Sequence, residues 1–386
     1  MPSAPAKPFI AIACGGTGGH LFPGLAVGHE LVIRGCDVTL LISHKDVDAA
    51  AVKSVTDMRV VKLPAVGLAG WNVLPFALAF WQSLRQSRRL FAPRPPAAVL
   101  GMGGFTSAPP ILAGREAGAA TFIHDSNTIP GRANRWLAPR VKGAFVYFPE
   151  TRARLRNPNV TVTGMPVRPQ FQRQDAAAAR TKLGLAPDRP VLLVMGGSQG
   201  AKGINDLVLR ALFNLVTMAP QLQMLHLTGA ADFERVRAAY AAHRARAVVR
   251  PFLDEMDLAL AAATAAISRA GASSLAELAA MRVPAVLVPY PFAADNHQLH
   301  NARAFVDAGA GRLLEQGAAR PEELVWLVLE LTGNVVTRGA MANALARWHS
   351  PNAAAVAGAV LFGAGLQDAV KPSVPARTPS ATNKPG

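Results

Sequence analysis

Phe9-Ile-Ala-Ile-Ala-Cys14, running at once into Gly15-Gly-Thr-Gly-Gly-His20, is the stretch on which the fold turns. The apolar run has strand length and no polar alternation, the pattern of a strand buried on both faces of a parallel sheet. The glycines break it, and a helical pattern follows from Pro23 to Arg34. Gly35 stops that helix, and Val38 to Ile42 reads as a second strand. This makes one strand-loop-helix-strand unit. The strand-to-glycine transition returns at Val99-Leu-Gly-Met-Gly-Gly-Phe105, and another buried strand at Ala120-Thr-Phe-Ile-His124. After a junction rich in chain breakers, Gly164-Met-Pro-Val-Arg-Pro169, a second series opens with Val191 to Met195 and its own corner, Gly196-Gly-Ser-Gln-Gly200. Further strand-like runs lie at Leu225 to Leu227, Ala247 to Val249, Ala265 to Ile267 and Ala285 to Val288. Two such series predict an α/β protein of two doubly wound, Rossmann-like domains, residues 1–166 and 167–366, facing across a ligand cleft. The last helices of the second are expected to pack back on the first. Residues 367–386, rich in Pro, Ser, Ala and Lys, read as a disordered tail.

Composition narrows the function. The chain has 386 residues, 51% hydrophobic and 17% charged, which fits a globular protein. Two cysteines, Cys14 and Cys36, make no disulfide framework and have no metal-ligand spacing, so a reduced cytosolic setting is expected. A formal net charge of +16 points to an anionic partner: nucleic acid, a membrane surface or a phosphorylated substrate. Much of the excess is arginine, which also follows genomic composition. Nucleic acid is disfavoured, because the chain has three tyrosines and no aromatic-interleaved basic motif, zinc spacing or helix-turn-helix pattern. Residues 1–8 do not read as a secretory signal. No run reaches the roughly 20 apolar residues that span a bilayer. The nearest, Val73 to Trp81 and Ala353 to Leu366, fall short, so the protein is expected to sit on a membrane without crossing it.

Glycines between a buried strand and a helix let the backbone close on a phosphate, with helix N–H groups aimed at it. The Gly15 corner lacks the third glycine of the dinucleotide fingerprint, and Ile42-Ser43-His44 stands where a ribose-binding acid would end the second strand. No G-K-[ST] follows either. Each corner alone could be a plain βα turn. Three of them, at Gly15, Gly103 and Gly196, point to a nucleotide-sugar or similar phosphoryl ligand. His20 stands at the mouth of the first corner, either bonded to backbone as a helix-start residue or placed to meet substrate. Ser274-Leu-Ala-Glu277 has capping-box spacing; Glu277 either caps its own helix or grips ribose hydroxyls.

Taken in order, these motifs resemble the MurG family of peptidoglycan glycosyltransferases. The likeness runs from Phe9 to about Trp348. It is carried by Gly15 to His20 with Pro23-Gly-Leu-Ala26, Gly101-Met-Gly-Gly-Phe105, His124 with Asn127, and Gly164-Met-Pro-Val-Arg168. It continues through Gly196-Gly-Ser-Gln-Gly-Ala201, Phe252-Leu-Asp-Glu-Met256, Arg269-Ala-Gly-Ala through Glu277, and Asp295-Asn-His-Gln298 before Asn301. The resemblance implies a GT-B fold and inverting transfer of N-acetylglucosamine from UDP-GlcNAc to undecaprenyl-linked lipid I, giving lipid II, with neither metal nor cofactor. The acceptor C4 hydroxyl attacks as UDP leaves. Leu253 would meet uracil through its backbone and Glu277 the ribose. Ser198 and the helix start Ala272, Ser273, Ser274, Leu275 and Ala276 would hold the diphosphate. Gln298 and Asn127 would touch the sugar, Arg168 would stand at the donor, and Thr17, Gly18 and Gly19 would face donor sugar and acceptor diphosphate. His20 is the expected base, since imidazole titrates near working pH, with Asp125 as runner-up. Two departures stand out: His124-Asp-Ser-Asn127 replaces the usual His-Glu-Gln-Asn, and Phe105 stands where a tyrosine is frequent, so no phenol acts there.

A polyprenyl acceptor brings the enzyme to the bilayer. Trp71, Phe76, Phe80 and Trp81 followed by Arg85, Arg88, Arg89 and Arg94 read as an apolar wedge with a basic rim for an anionic membrane surface. The structural alternative is a core helix with a solvated basic end. The family setting implies a peripheral protein on the cytoplasmic face of the plasma (inner) membrane, alongside cell-wall synthesis or division proteins. A related transferase acting on diacylglycerol is the rival reading.

Overall fold

The computed structural model describes residues 7–360 except 17, 45–51, 53–54, 68–72, 198–199, 353–354 and 357. Thr17, Ser198, Trp71 and the tail 367–386 therefore lie outside the described residues. The first sheet holds β1 (Phe9–Ala13), β2 (Asp37–Ile42), β3 (Arg59–Lys62), β4 (Ala98–Gly101), β5 (Ala120–Asp125), β6 (Gly143–Val146) and β7 (Val160–Val162). Its order is β3-β2-β1-β4-β5-β6-β7, parallel throughout. The second holds β8 (Val191–Met195), β9 (Gln223–Leu227), β10 (Ala247–Arg250), β11 (Ala265–Ser268), β12 (Ala285–Leu287) and β13 (Arg312–Leu313). Its order is β10-β9-β8-β11-β12-β13, again parallel.

In both sheets the winding reverses beside the founding strand, between β1 and β4 and between β8 and β11. Ligand crevices of open parallel sheets form at such switch points, beyond the carboxyl ends of the strands. The corners at Gly15 and Gly103 flank the first switch point, and those at Gly196 and Gly271 flank the second. The apolar strands carry both cores: β1 and β8 are buried at every position. Val356 and Val360, late in the chain, lie in the core of the first lobe. At the waist, Phe148, Phe305 and Trp348 interlock, with the Phe305 and Trp348 rings stacked at 4.5 Å.

The first helix, Gly18–Ile33, starts five residues before the Pro23 expected from the sequence and contains that proline. Pro23 forgoes its bond to the carbonyl four residues back, a loss confined to the second turn. Gly24 next to it is needed for contact, because a Cβ there would overlap the Cys14 side chain of β1.

Candidate active site

The two corners of the first lobe are bonded into one floor. Thr106 Oγ1 donates to Gly15 O at 2.7 Å, and Ser107 Oγ to Gly103 O at 2.7 Å. Gly103 and Gly104 hold positive φ of 102° and 73°, which only glycine adopts freely. Their missing side chains make room for the His20 imidazole: a Cβ on Gly103 would come within 3.0 Å of it, and one on Gly104 within 3.1 Å. His20 thus packs flat over the second corner from the first turn of its helix. Beside it, His124 is fully buried and bonds Gly164 O through Nε2 at 3.1 Å. Burial, helped by the nearby His20, holds His124 down at about 4, so it is neutral.

Asp125 ends β5 with a buried carboxylate that accepts from Asn127 N (3.0 Å), Gly131 N (3.0 Å) and Asn134 Nδ2 (2.8 Å). Burial pushes its pKa up, while these donors pull it back. The short side chain that departs from the family pattern is the knot of the loop from 125 to 134. Asn127 is held across the cleft by Asn301, which the sequence named only as part of a motif, without a role. Asn301, fully buried, accepts from Thr128 N and Oγ1, both at 3.0 Å, and donates to Asn127 Oδ1 (3.0 Å) and Ala270 O (3.2 Å). One carboxamide therefore bolts the first lobe to the segment before β11's helix. Asp295 adds an ion pair to Arg135 at 2.6 Å.

In the second lobe the helix Ala272–Met281 starts at Gly271 without a side-chain cap. Ser274 and Glu277 therefore both lie inside the helix, and the capping-box reading of Glu277 is set aside. Ala272, Leu275 and Ala276 are buried. Ser273 Oγ is buried and makes no hydrogen bond among the described residues. Glu277 meets Arg168 from the junction at 3.4 Å. Burial raises its carboxyl to about 7, against the pull of Arg168. Arg269, also unassigned by the sequence reading, is 7% exposed. Its guanidinium donates to Val288 O and Pro289 O, both at 3.0 Å, and to Gln316 Oε1 at 2.7 Å, and desolvation lowers it to about 10. Among the described residues it pairs with no carboxylate, so a buried positive charge stands beside the helix start. Gln298 accepts from Tyr290 N at 3.0 Å, orienting its amide group, and the Leu253 side chain is buried just beyond β10.

The basic-apolar segment forms the helix Val73–Phe91. Its inner face is Ala79, Ser83, Ser87 and Phe91, and its outer face exposes Leu74 (83%), Leu78 (57%) and Trp81 (52%) at helical spacing. Phe80 departs from expectation: the helical period turns it inward against the core of the first lobe, and Phe76 leans on it at 6.1 Å. Arg85 lies over the Trp81 ring at 5.4 Å. Arg88 makes two bonds to Glu116, at 2.6 and 2.7 Å, so its charge is paired, whereas Arg89 is exposed.

This fold and cleft are those of a two-lobed nucleotide-sugar transferase, and the matching families say so. Residues 10–146 match the glycosyltransferase family 28 N-terminal domain, and residues 191–355 the family's C-terminal domain. The chain is 37% identical over 357 residues to the UDP-N-acetylglucosamine–N-acetylmuramyl-(pentapeptide) pyrophosphoryl-undecaprenol N-acetylglucosamine transferase of Anaeromyxobacter dehalogenans, covering 89% of this chain and 90% of that one. It is 40% identical over 329 residues to the like-named protein of Verminephrobacter eiseniae, covering 83% and 89%. The crystal structure of MurG from Acinetobacter baumannii superposes with a TM-score of 0.72 at 28% identity, covering 92% of this chain and 100% of that one. The chain belongs to the MurG family of glycosyltransferases.

Proposed function

We infer that the protein transfers N-acetylglucosamine from UDP-GlcNAc to the C4 hydroxyl of MurNAc in undecaprenyl-diphospho-MurNAc-pentapeptide, converting lipid I to lipid II. The observation that carries this is likeness across both lobes to transferases named for that reaction. Those names do not favour diacylglycerol as acceptor.

The geometry supports a division of labour. Donor recognition falls to the second lobe: Glu277 for ribose hydroxyls, the Leu253 backbone for uracil, Ser273 and the N–H groups opening the Ala272 helix for diphosphate. As UDP leaves, negative charge grows on the diphosphate. The helix start, Arg168 and the unpaired charge of Arg269 stabilise it without rearrangement. On the opposite wall His20 takes the proton of the attacking hydroxyl, held in place by the glycine floor. Asp125 spends its acceptor capacity on the loop that carries Asn127, so its contribution is positioning. Gln298 and Asn127 flank the sugar from opposite lobes.

No described helix is long and apolar enough to cross a membrane. The outer face of Val73–Phe91, with Leu74, Leu78 and Trp81 and the cations Arg85 and Arg89, supports docking on anionic lipid at the inner membrane's cytoplasmic face. Partners from cell-wall synthesis or division follow from the same reading. The test of function is transfer of radiolabelled N-acetylglucosamine from UDP-GlcNAc to a short-chain lipid I analogue, with diacylglycerol and UDP-galactose in parallel. Labelled lipid II is expected; product only on diacylglycerol overturns the assignment.

A further inference from the structure

Phe22 has no part in the chemistry above, yet it touches the donor machinery. It sits two residues after His20 on the Gly18–Ile33 helix, half-buried against the core of the first lobe. Residues two apart on a helix point roughly 200° away from each other. His20 faces the glycine floor, and Phe22 faces the junction. There the Arg168 guanidinium carbon lies 4.3 Å from the Phe22 ring centre and 4.8 Å from that of Phe171. One cation is thus gripped by a ring from the first lobe and a ring from the start of the second.

The polar edge of this guanidinium is under-used. Nη2 reaches Glu277 Oε1 at 3.4 Å, where a charge-assisted bond closes to about 2.8 Å, and Nε is buried with no partner among the described residues. That long contact is the Glu277 carboxylate's one hydrogen bond among the described residues. Two opposite charges this buried would close on each other if nothing held them apart. The two rings are the groups packed on the cation.

We propose that Phe22 is a positioning residue for donor capture, holding Arg168, together with Phe171, short of a tight pair with Glu277. Ribose hydroxyls then take the carboxylate without first breaking a strong ion pair, and the released N–H groups of Arg168 turn to the diphosphate. Because Phe22 shares a rigid helix with His20, seating the donor also sets the wall that presents the base. This rests on the donor assignment made above.

The experiment is calorimetric titration of UDP into the full-length protein and its variants. Phe22→Leu is expected to raise the UDP Kd about tenfold, and Phe22→Tyr, which keeps the ring, to stay within about twofold of the parent. In an Arg168→Ala background, Phe22→Leu should add no further loss, since both act through one cation. Donor KM should rise with Kd while kcat changes less. Phe171→Leu carries the same test from the other ring should Phe22→Leu fail to fold. A Kd unchanged by Phe22→Leu, or a full additional loss on top of Arg168→Ala, overturns the clamp while leaving the donor assignment standing. A parent protein that binds no UDP overturns both.

Discussion

The two walls of the cleft hold their buried carboxylates differently. Around Asp125 in the first lobe one carboxylate takes three donors, and Asn301 both accepts and donates across the cleft, while His124 Nδ1 and Asn134 Oδ1 are buried without a partner among the described residues. Around Glu277 in the second lobe the carboxylate has, among the described residues, one long bond to Arg168, Ser273 Oγ and Arg168 Nε have no partner, and Arg269 has no counter-ion. A buried polar group without a partner costs about 1–3 kcal/mol. Such a cost is borne where a ligand relieves it. A fully bonded carboxylate thus stands on the wall proposed to hold the base and acceptor in line, and a lightly bonded one on the wall proposed to seize an anionic nucleotide.

Breaking each wall should therefore give a different signature. The largest effect is expected from His20→Ala, which should lower kcat by about 100-fold or more while UDP affinity stays near that of the parent. Near-normal turnover would remove His20 as base. Next, Glu277→Ala should weaken UDP binding by about tenfold or more with little change in melting temperature, because no helix cap is lost. The same carboxyl makes binding pH-dependent. It is raised to about 7 in the free protein, and only its charged form accepts from two hydroxyls, so UDP binding should release a proton and tighten as pH rises through 7. Affinity flat between pH 6 and 8 would contradict this. Asp125→Ala should do the reverse of Glu277→Ala, lowering the melting temperature and kcat together by unlacing the loop to Asn134; an unchanged melting temperature would show that the knot carries no stability.

Stability should also fall in acid. His124 and His226 are held neutral in the fold, at about 4 and about 3, below the ordinary 6.5. Their contribution is complete above pH 6.5 and is lost as pH drops towards 4, on the order of 3 kcal/mol for His124. His226, bonded to Tyr240 and Asn205 at 3.0 Å each, adds to it. A melting temperature constant from pH 7 to 5 would contradict both. The smallest effect concerns the outer surface: Leu78→Ser with Trp81→Ser should reduce binding to anionic vesicles several-fold, and Phe80→Ser should destabilise the fold instead. Undiminished vesicle binding by the first pair would move the membrane face elsewhere.

Strands buried on both faces and ending in glycine were legible in the sequence, because β1, β4 and β8 need apolar runs and their corners need glycine, while β5 showed only as an apolar-rich run with no glycine corner. Of the outer strands, β10 was read, but β3 and β13 were not: both are short and at least partly exposed, so no pattern marks them. In the site, His20 and Glu277 announced themselves by position beside a glycine corner. Asn301 and Arg269 stood in motifs but without a role, since what defines each role is a partner distant in sequence: Asn301 meets Thr128 across 173 residues. The Ser274–Glu277 spacing misled for the same reason, since the residue that claims Glu277 is Arg168, 109 positions away. Phe80 and Trp81 looked equivalent as letters, and only the helical phase against the core separates them.

A crystal structure of the full-length protein soaked with UDP bears most directly on this account. It should show the ribose hydroxyls on the Glu277 carboxylate and the diphosphate at the start of the Ala272 helix, with Arg168 drawn away from Glu277. Uridine seated on the Asp125 wall, with the Arg168–Glu277 contact undisturbed, would contradict it.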